Sequence, residues 1–240
     1  MNYMSMGFGM IIWLGVKHLF GISDRYLPGL ESVVQAVTDL KWDLMGHVGV
    51  TTLRALSGTV AGISAGIAFA LVAHRFGFLA FSLPTVNALR AVPAVALVPF
   101  FLLWFGFSEV GRYILIILAV GLNVCIGCAQ TLLNGDERDH VIFGNYGVKR
   151  NRLILKYWFP RVLESILPTL RVSVSLALGA IIVAEMLGAQ SGIGYLMQTS
   201  RATFSLNVIF LCALLLGVLA ELLDRALQKC WRLAVTWRAS

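Results

Sequence analysis

Apolar runs about twenty residues long recur along this chain, and few charges lie within them. These runs constrain the fold more than any local motif does. In hydrocarbon no water can satisfy backbone N–H and C=O groups, so a crossing segment must close its hydrogen bonds internally, as a helix does. One crossing takes ~20 mostly apolar residues at ~1.5 Å each. Six runs meet or approach that length: residues 4–20, 51–73, 91–107, 113–133, 166–187 and 208–223. Only 13% of the 240 residues are charged and 58% are hydrophobic, whereas soluble domains carry about 25% charged residues. Too little polar surface is left to cover a water-soluble globule. The expected fold is all-α, a polytopic membrane bundle of about six transmembrane helices.

The charges that do occur sit between the runs, and the formal net charge is +7. The longest polar interruption of the second half, residues 136–168, holds Lys149, Arg150, Arg152, Lys156 and Arg161. The tail adds Arg225, Lys229, Arg232 and Arg238, with Trp231 and Trp237 as interfacial anchors. Cations flanking apolar runs read as cytoplasmic segments facing anionic headgroups. No basic–aromatic recognition module is present, so nucleic acid is not an expected partner. With the tail inside, counting back over six crossings puts both termini, residues 74–90 and the central basic loop in the cytoplasm. Residues 23–49, 108–112 and 190–207 then lie outside. The first run dissents, because Lys17 and Arg25 follow it and no cation precedes it. Either the other loops dictate topology or the true start lies upstream. No cleavable signal peptide is expected, since a cationic n-region and an A-x-A-like site are both missing.

Several residues inside the runs carry information. Gly58, Gly62 and Gly66 stand four apart on one helix face, where they let another backbone approach closely. Pro93 and Pro99 lie in the third run, with Phe101 beside them. Proline removes a donor and kinks a helix, so these three are candidates for a pathway-lining, gating helix. Plain kinked packing is the alternative. Residues 76–92, with Pro84, Asn87 and Arg90, read as an interfacial segment followed by re-entry. Glu185 falls near the far end of the fifth run. A carboxylate at membrane depth is costly and is a functional candidate by default. Two roles stand open for it: gating or pathway polarity, and structural hydrogen bonding near a helix end. Arg54 and Arg90 serve either to attract anions or to anchor at an interface.

The remaining features are plainer. Residues 23–49 read as a loop followed by a short amphipathic helix, with Val33, Val34, Val37 and Leu40 as its apolar stripe. That helix lies on the membrane surface or packs on the bundle. Residues 190–207 read as a polar linker with Gly192 and Gly194. Cys125 and Cys128 form C-x-x-C, but inside an apolar run the spacing puts two small side chains on one face and reads as packing. His18, His47, His74 and His140 are scattered and make no metal site. Neither the phosphate-binding G-x-x-x-x-G-K-[ST] nor H-E-x-x-H occurs. The chain is therefore not expected to be an enzyme or to hold a cofactor. Three regions follow: residues 1–50 with the first crossing and an external amphipathic segment, a core at 51–227, and a basic tail at 228–240.

In the central loop Gly147 precedes Pro160 by thirteen residues. That spacing resembles the cytoplasmic loop of permease subunits of binding-protein-dependent ABC importers: E-A-A, three residues, Gly, nine residues, then I-x-L-P. Tyr157-Trp158-Phe159-Pro160 occupy the second slot, while Val141-Ile142-Phe143 stand where E-A-A would be. More specifically, A-L-R-A-V-P-A-V-A-L-V-P-F-F-L-L-W-F-G at 88–106 is similar to the alkanesulfonate, taurine and nitrate branch. So are T-T-L-R-A-L-S-G-T-V-A-G at 51–62, A-E-M-L-G-A-Q-S-G-I-G-Y-L-M at 184–197, and the tail from Leu222.

The resemblance implies a type I ABC importer permease fold and an inner-membrane location. It implies two permease subunits forming the pathway as a homodimer within membrane lipid. ATP and Mg would be used by partner ATPase subunits, and a periplasmic or lipid-anchored binding protein would deliver a small organic anion. The loop between the fourth and fifth runs would act as a coupling helix, docking on the ATPase through Phe143, Asn145, Tyr146, Gly147, Val148, Lys149, Arg150, Arg152 and Pro160. Two other readings are a secondary transporter needing no ATPase, and a degenerate permease-like protein that has lost coupling.

Overall fold

The computed structural model describes residues 13, 15, 17, 19–21, 23, 26–134 and 150–235. Among them the elements are all helical, and no strand occurs. In order they are α1 (Leu30–Phe76), α2 (Leu79–Ala91), α3 (Ala94–Phe105), α4 (Glu109–Leu133) and α5 (Arg150–Leu153). A π-helical turn (Ile154–Trp158), α6 (Phe159–Ser165), α7 (Leu167–Gly188), α8 (Ile193–Ala202) and α9 (Leu206–Ala234) complete the series.

The glycine stripe of α1 packs against α4. A Cβ at Gly58 would lie 2.8 Å from Ile116 Cγ2, one at Gly62 would lie 2.7 Å from Val120 Cβ, and one at Gly66 would lie 2.6 Å from the Gly121 carbonyl oxygen. No side chain fits there, so Ile116 and Val120 of α4 seat against the α1 backbone at Gly58 and Gly62, and the two backbones meet at Gly66. Partners advance in step along both helices and in the same sense, from Ile116 to Val120 to Val124. α1 and α4 are therefore parallel. The chain between them must return to the end from which α1 started its crossing. It does so through α2 and α3, which are bent by 87° at a short break.

That break corrects the expected single kinked helix over 91–107. Pro93 is not inside a helix; it stands at the N-cap of α3, with Val92 extended at ψ 118°. Proline disfavours the helical region for the residue before it and supplies no N–H to continue the ladder. α3 alone has 12 residues, too few to cross, so the crossing is shared by the bent pair. Pro99 lies within α3.

α7 runs antiparallel to α4. Asn123 donates to Ser173 Oγ at 2.9 Å, and the hydroxyls of Thr131 and Ser165 pair at 2.6 Å. α9 runs antiparallel to α7. Arg171 makes a bidentate pair with Asp224 at 2.8 Å, and Trp231 Nε1 donates to the Leu163 carbonyl at 2.9 Å. Thus one end of the bundle holds the ends of α1 and α4, the start of α7 and the end of α9. The other end holds the starts of α4 and α9, the end of α7, and α8.

Three further expectations change. The helix that leads into the second run does not begin at residue 51. α1 is helical from Leu30 and is interrupted only at Lys41 (φ 43°, ψ −118°), so the short amphipathic helix expected within 23–49 is present but continues past that break into the second run. In its first part Val33 and Ala36 are buried while Val34 and Val37 are exposed, so the packed stripe differs from the one expected. Residues 190–207 are not a linker but contain α8. Segment 76–92 is mostly α2, joined to α1 through Gly77 (φ 78°). The run at 4–20 lies mostly outside the described residues; its Trp13 packs against Phe210 of α9, ring centroids 5.5 Å apart. Cys125 and Cys128 are buried free thiols.

Replacing Gly62 with Val drives a side chain into Val120 and is expected to cost about 1–3 kcal/mol, the range for overpacking. Gly217, with nothing within 4 Å of a built Cβ, is the control. Melting in detergent should fall for Gly62→Val and hold or rise for Gly217→Ala.

Candidate functional site

At the end of the bundle that holds the starts of α4 and α8 and the end of α7, four ionisable side chains from three helices meet. α7 brings Glu185 one turn before its C-terminus. Its side chain is 0% exposed. The carboxylate accepts from Thr51 Oγ1 at 2.8 Å, from Arg54 Nη1 at 2.8 Å and from the Gly194 N–H at 3.0 Å. Thr51 in turn accepts the Ile193 N–H at 2.8 Å. These two amides belong to the first turn of α8, where helix N–H groups lack intrahelical partners and negative charge is favoured. Glu185 and Thr51 therefore cap α8 from two other helices.

The approach is so close that the sequence S-G-I-G is required. Gly192 has φ 118°, and a Cβ there would collide with the Glu185 carboxylate. At Gly194 a Cβ would meet Glu185 Cβ at 2.7 Å. The Gly192 N–H is satisfied by His47 Nδ1 of α1 at 3.0 Å.

Arg54 lies one helical turn before the glycine stripe, on the same face of α1. Besides Glu185 it donates to the Ser191 carbonyl at 2.8 Å and through Nε to Glu109 Oε2 at 2.8 Å, and its Nη2 pairs with Glu109 Oε1. Glu109 opens α4 and also accepts from Arg112 Nη1 at 2.6 Å. Arg112 Nη2 donates to the carbonyls of Phe107, at 3.0 Å, and Gly188. The arginine side chains are 8% and 6% exposed, while that of Glu109 is 49% exposed. Two cations and two carboxylates leave the network neutral, the condition under which buried charge is tolerable. Beside it opens a cleft of about 680 Å³, lined by Arg54, Glu109, Arg112, Ser191, Tyr195 and Gln198 among others.

Phe101 is buried with Val98 against Leu115 of α4 and Ala180 and Ala184 of α7. Pro93, Pro99 and Phe101 thus belong to the helix pair that flanks the network, and Glu185 is its centre. Gly58, Gly62 and Gly66 continue inward from Arg54. The structure does not bring the proposed coupling residues to this place. Phe143, Asn145, Tyr146, Gly147, Val148 and Lys149 lie outside the described residues, as do Val141 and Ile142. Arg150 begins α5, Arg152 is exposed, and Pro160 sits in the first turn of α6. All three are at the opposite end of the bundle. Trp158, next to Pro160, is fully buried and meets His74 of α1 edge-on at 5.0 Å.

Arg54, which the sequence left open as an anion attractor or an interface anchor, has both its edges engaged by carboxylates. Thr51, Glu109 and Arg112 escaped sequence reasoning altogether. The usable signal was one Arg and one Glu isolated in separate apolar runs, since charges at membrane depth pair with one another.

Removing one member of a buried pair strands the other, typically at 3–5 kcal/mol. Arg54→Met is therefore expected to lower thermal stability by about that much. The double variant Arg54→Met/Glu185→Met should recover part of the loss. Strictly additive losses in detergent melting would show that the pair is not coupled.

Comparison with known proteins supplies a context. The family described as "Binding-protein-dependent transport system inner membrane component" matches residues 58–232. SsuC of Escherichia coli strain K12, named for aliphatic sulfonates transport, is 30% identical over 94% of this chain and 87% of its own length. SsuC of Bacillus subtilis strain 168, named likewise, is 29% identical over 95% of this chain and 84% of its own length. The formylaminopyrimidine transport permease ThiX of Halalkalibacterium halodurans is 27% identical over 95% of this chain and 92% of its own length.

Proposed function

This chain belongs to the binding-protein-dependent transport system inner membrane component family, and on that premise we propose that it forms the pathway of an importer for small organic anions of the sulfonate kind. It is a multi-pass membrane protein and the non-catalytic component of its system. ATP hydrolysis belongs to a separate ABC subunit, and solute capture to a separate binding protein. The observation that carries the solute class is similarity to two permeases named for aliphatic sulfonates over nearly the whole chain. The likeness to ThiX favours a second solute class, a substituted pyrimidine.

In this reading two copies pair within the lipid to enclose the pathway. The end of the bundle bearing Arg75, Arg152, Lys156, Arg225, Lys229 and Arg232 faces the cytoplasm, as the positive-inside rule asks, and both termini lie there. Phe143, Asn145, Tyr146, Gly147, Val148 and Lys149, with Arg150, Arg152 and Pro160, dock on the ATPase. This chain holds no cofactor; ATP and Mg act in the partner. Pro93, Pro99 and Phe101 support a gating role by their place: α3 is hinged at the break and rests on α7 beside Glu185.

Reconstitution with a partner ABC ATPase and a solute-binding protein is the test. ATP-dependent uptake of ethanesulfonate and taurine is the expected outcome, and Gly147→Trp should reduce it to the background of vesicles lacking ATPase. Uptake of an aminopyrimidine in preference to both sulfonates would select the second class. Ion-driven uptake by this chain alone would overturn the importer reading.

A further inference from the structure

We propose that the cleft beside the ion network is an anion-exchange subsite, in which the sulfonate group of the solute replaces the Glu109 carboxylate on Arg54 and Arg112. This rests on the organic-anion reading above and assigns it to particular residues.

The four charged groups differ in how free they are to exchange. Glu185 is completely enclosed and is held by donors from Thr51, Arg54 and Gly194. The two arginines are nearly as buried, and each is tied to backbone carbonyls, Arg54 to Ser191 and Arg112 to Phe107 and Gly188. Only Glu109 is half-exposed. Its carboxylate can rotate into water while the two cations stay behind. Those cations then face the cleft one negative charge short, and an anion entering the cleft restores the balance. Exchange of one monoanion for another leaves the network neutral once it is complete, which insertion of an anion beside a retained Glu109 contact would not.

A second observation points the same way. Arg112 Nε is buried and has no hydrogen-bond partner among the described residues, although both terminal nitrogens of the same guanidinium are used. Buried donors are normally satisfied. Glu109 offers two oxygens and spends both on the arginines. A sulfonate offers three, so two of them can take over the three contacts that Glu109 gives up and the third is left for the unmet N–H. The cleft also supplies apolar wall for a short alkyl chain, from Phe107, Met186 and Leu187, and has a volume of about 680 Å³, ample for a two-carbon sulfonate. Its position suits entry. It lies at the end remote from the proposed ATPase-docking segment, beside the hinged pair α2–α3.

The test uses the permease–ATPase complex in nanodiscs without binding protein, with sodium ethanesulfonate as probe and ethanesulfonamide as its uncharged counterpart. Glu109→Gln removes the internal competitor. The apparent affinity for ethanesulfonate, read from ligand-dependent melting, is expected to tighten by about tenfold, close to the scale of one charge contact exposed to water, as the half-exposed Glu109 is. Ethanesulfonamide should have no effect on either protein. Equal affinities in wild type and Glu109→Gln, or equal responses to the two probes, would overturn the proposal. A Gln198→Cys variant tests it with Glu109 in place: ethanesulfonate, but not the sulfonamide, should slow thiol labelling at position 198, and absence of protection counts against the subsite. Sulfonate uptake by the complete wild-type importer, with no such protection and no change on Glu109→Gln, would remove the subsite and leave the importer reading intact. Absence of sulfonate uptake would remove the solute assignment instead.

Discussion

The Glu185 carboxylate is the interaction on which the end of the molecule that carries α8 depends. A charge with no exposed surface survives only when every lone pair has a donor and a compensating cation is close. Thr51 and Arg54 supply these from α1, and Gly194 from α8. Since Arg54 is shared with Glu109 at the start of α4, one carboxylate fixes the relative positions of four helices. The same contacts satisfy the otherwise open amides of α8. Without them that helix, only ten residues long, would have little to hold it on the bundle.

Toward the other end the means of cohesion change from charge to shape. There the helices meet through glycine against β-branched side chains, through single polar contacts such as Asn123 with Ser173, and through the buried Trp158. Hydrocarbon gives little drive for apolar side chains to leave lipid for protein, so close backbone approach and interhelical hydrogen bonds carry the packing. The exposed surface of Phe81, Leu103 and Trp104 is ordinary for a chain in that solvent. A soluble protein could not present it.

The crossings of α1, α4, α7 and α9 were readable from sequence because run length and apolarity are set by bilayer thickness, a constraint that acts on each helix alone. The glycine spacing was readable for a similar reason: close approach demands a missing Cβ whatever the partner. Which helix fills the stripe is not written there, since β-branched residues abound in every run. The bend at Pro93 was visible as a perturbation, but its size depends on α1 and α4 being parallel, which forces the intervening chain to cross. α8 was lost because its apolar content is low and its capping groups, Glu185 and Thr51, come from distant parts of the chain. Glu185 and Arg54 were each conspicuous in their runs. Their pairing, and the contributions of Glu109 and Arg112, became visible only once the stripe had set the register between α1 and α4.

That register has a consequence of its own. A stripe of identical small residues against a row of β-branched ones is nearly periodic. Sliding α1 along α4 by one turn would present another glycine to another β-branched side chain at almost the same depth. Shape alone leaves such a seam with several near-equivalent settings. The charges at its outer end remove the ambiguity, because a slip would carry Arg54 toward apolar Ile116 and away from both carboxylates. The ion network therefore acts as the index mark on an otherwise uniform scale. Loosening it frees α1 to change its setting against α4 without dismantling the seam.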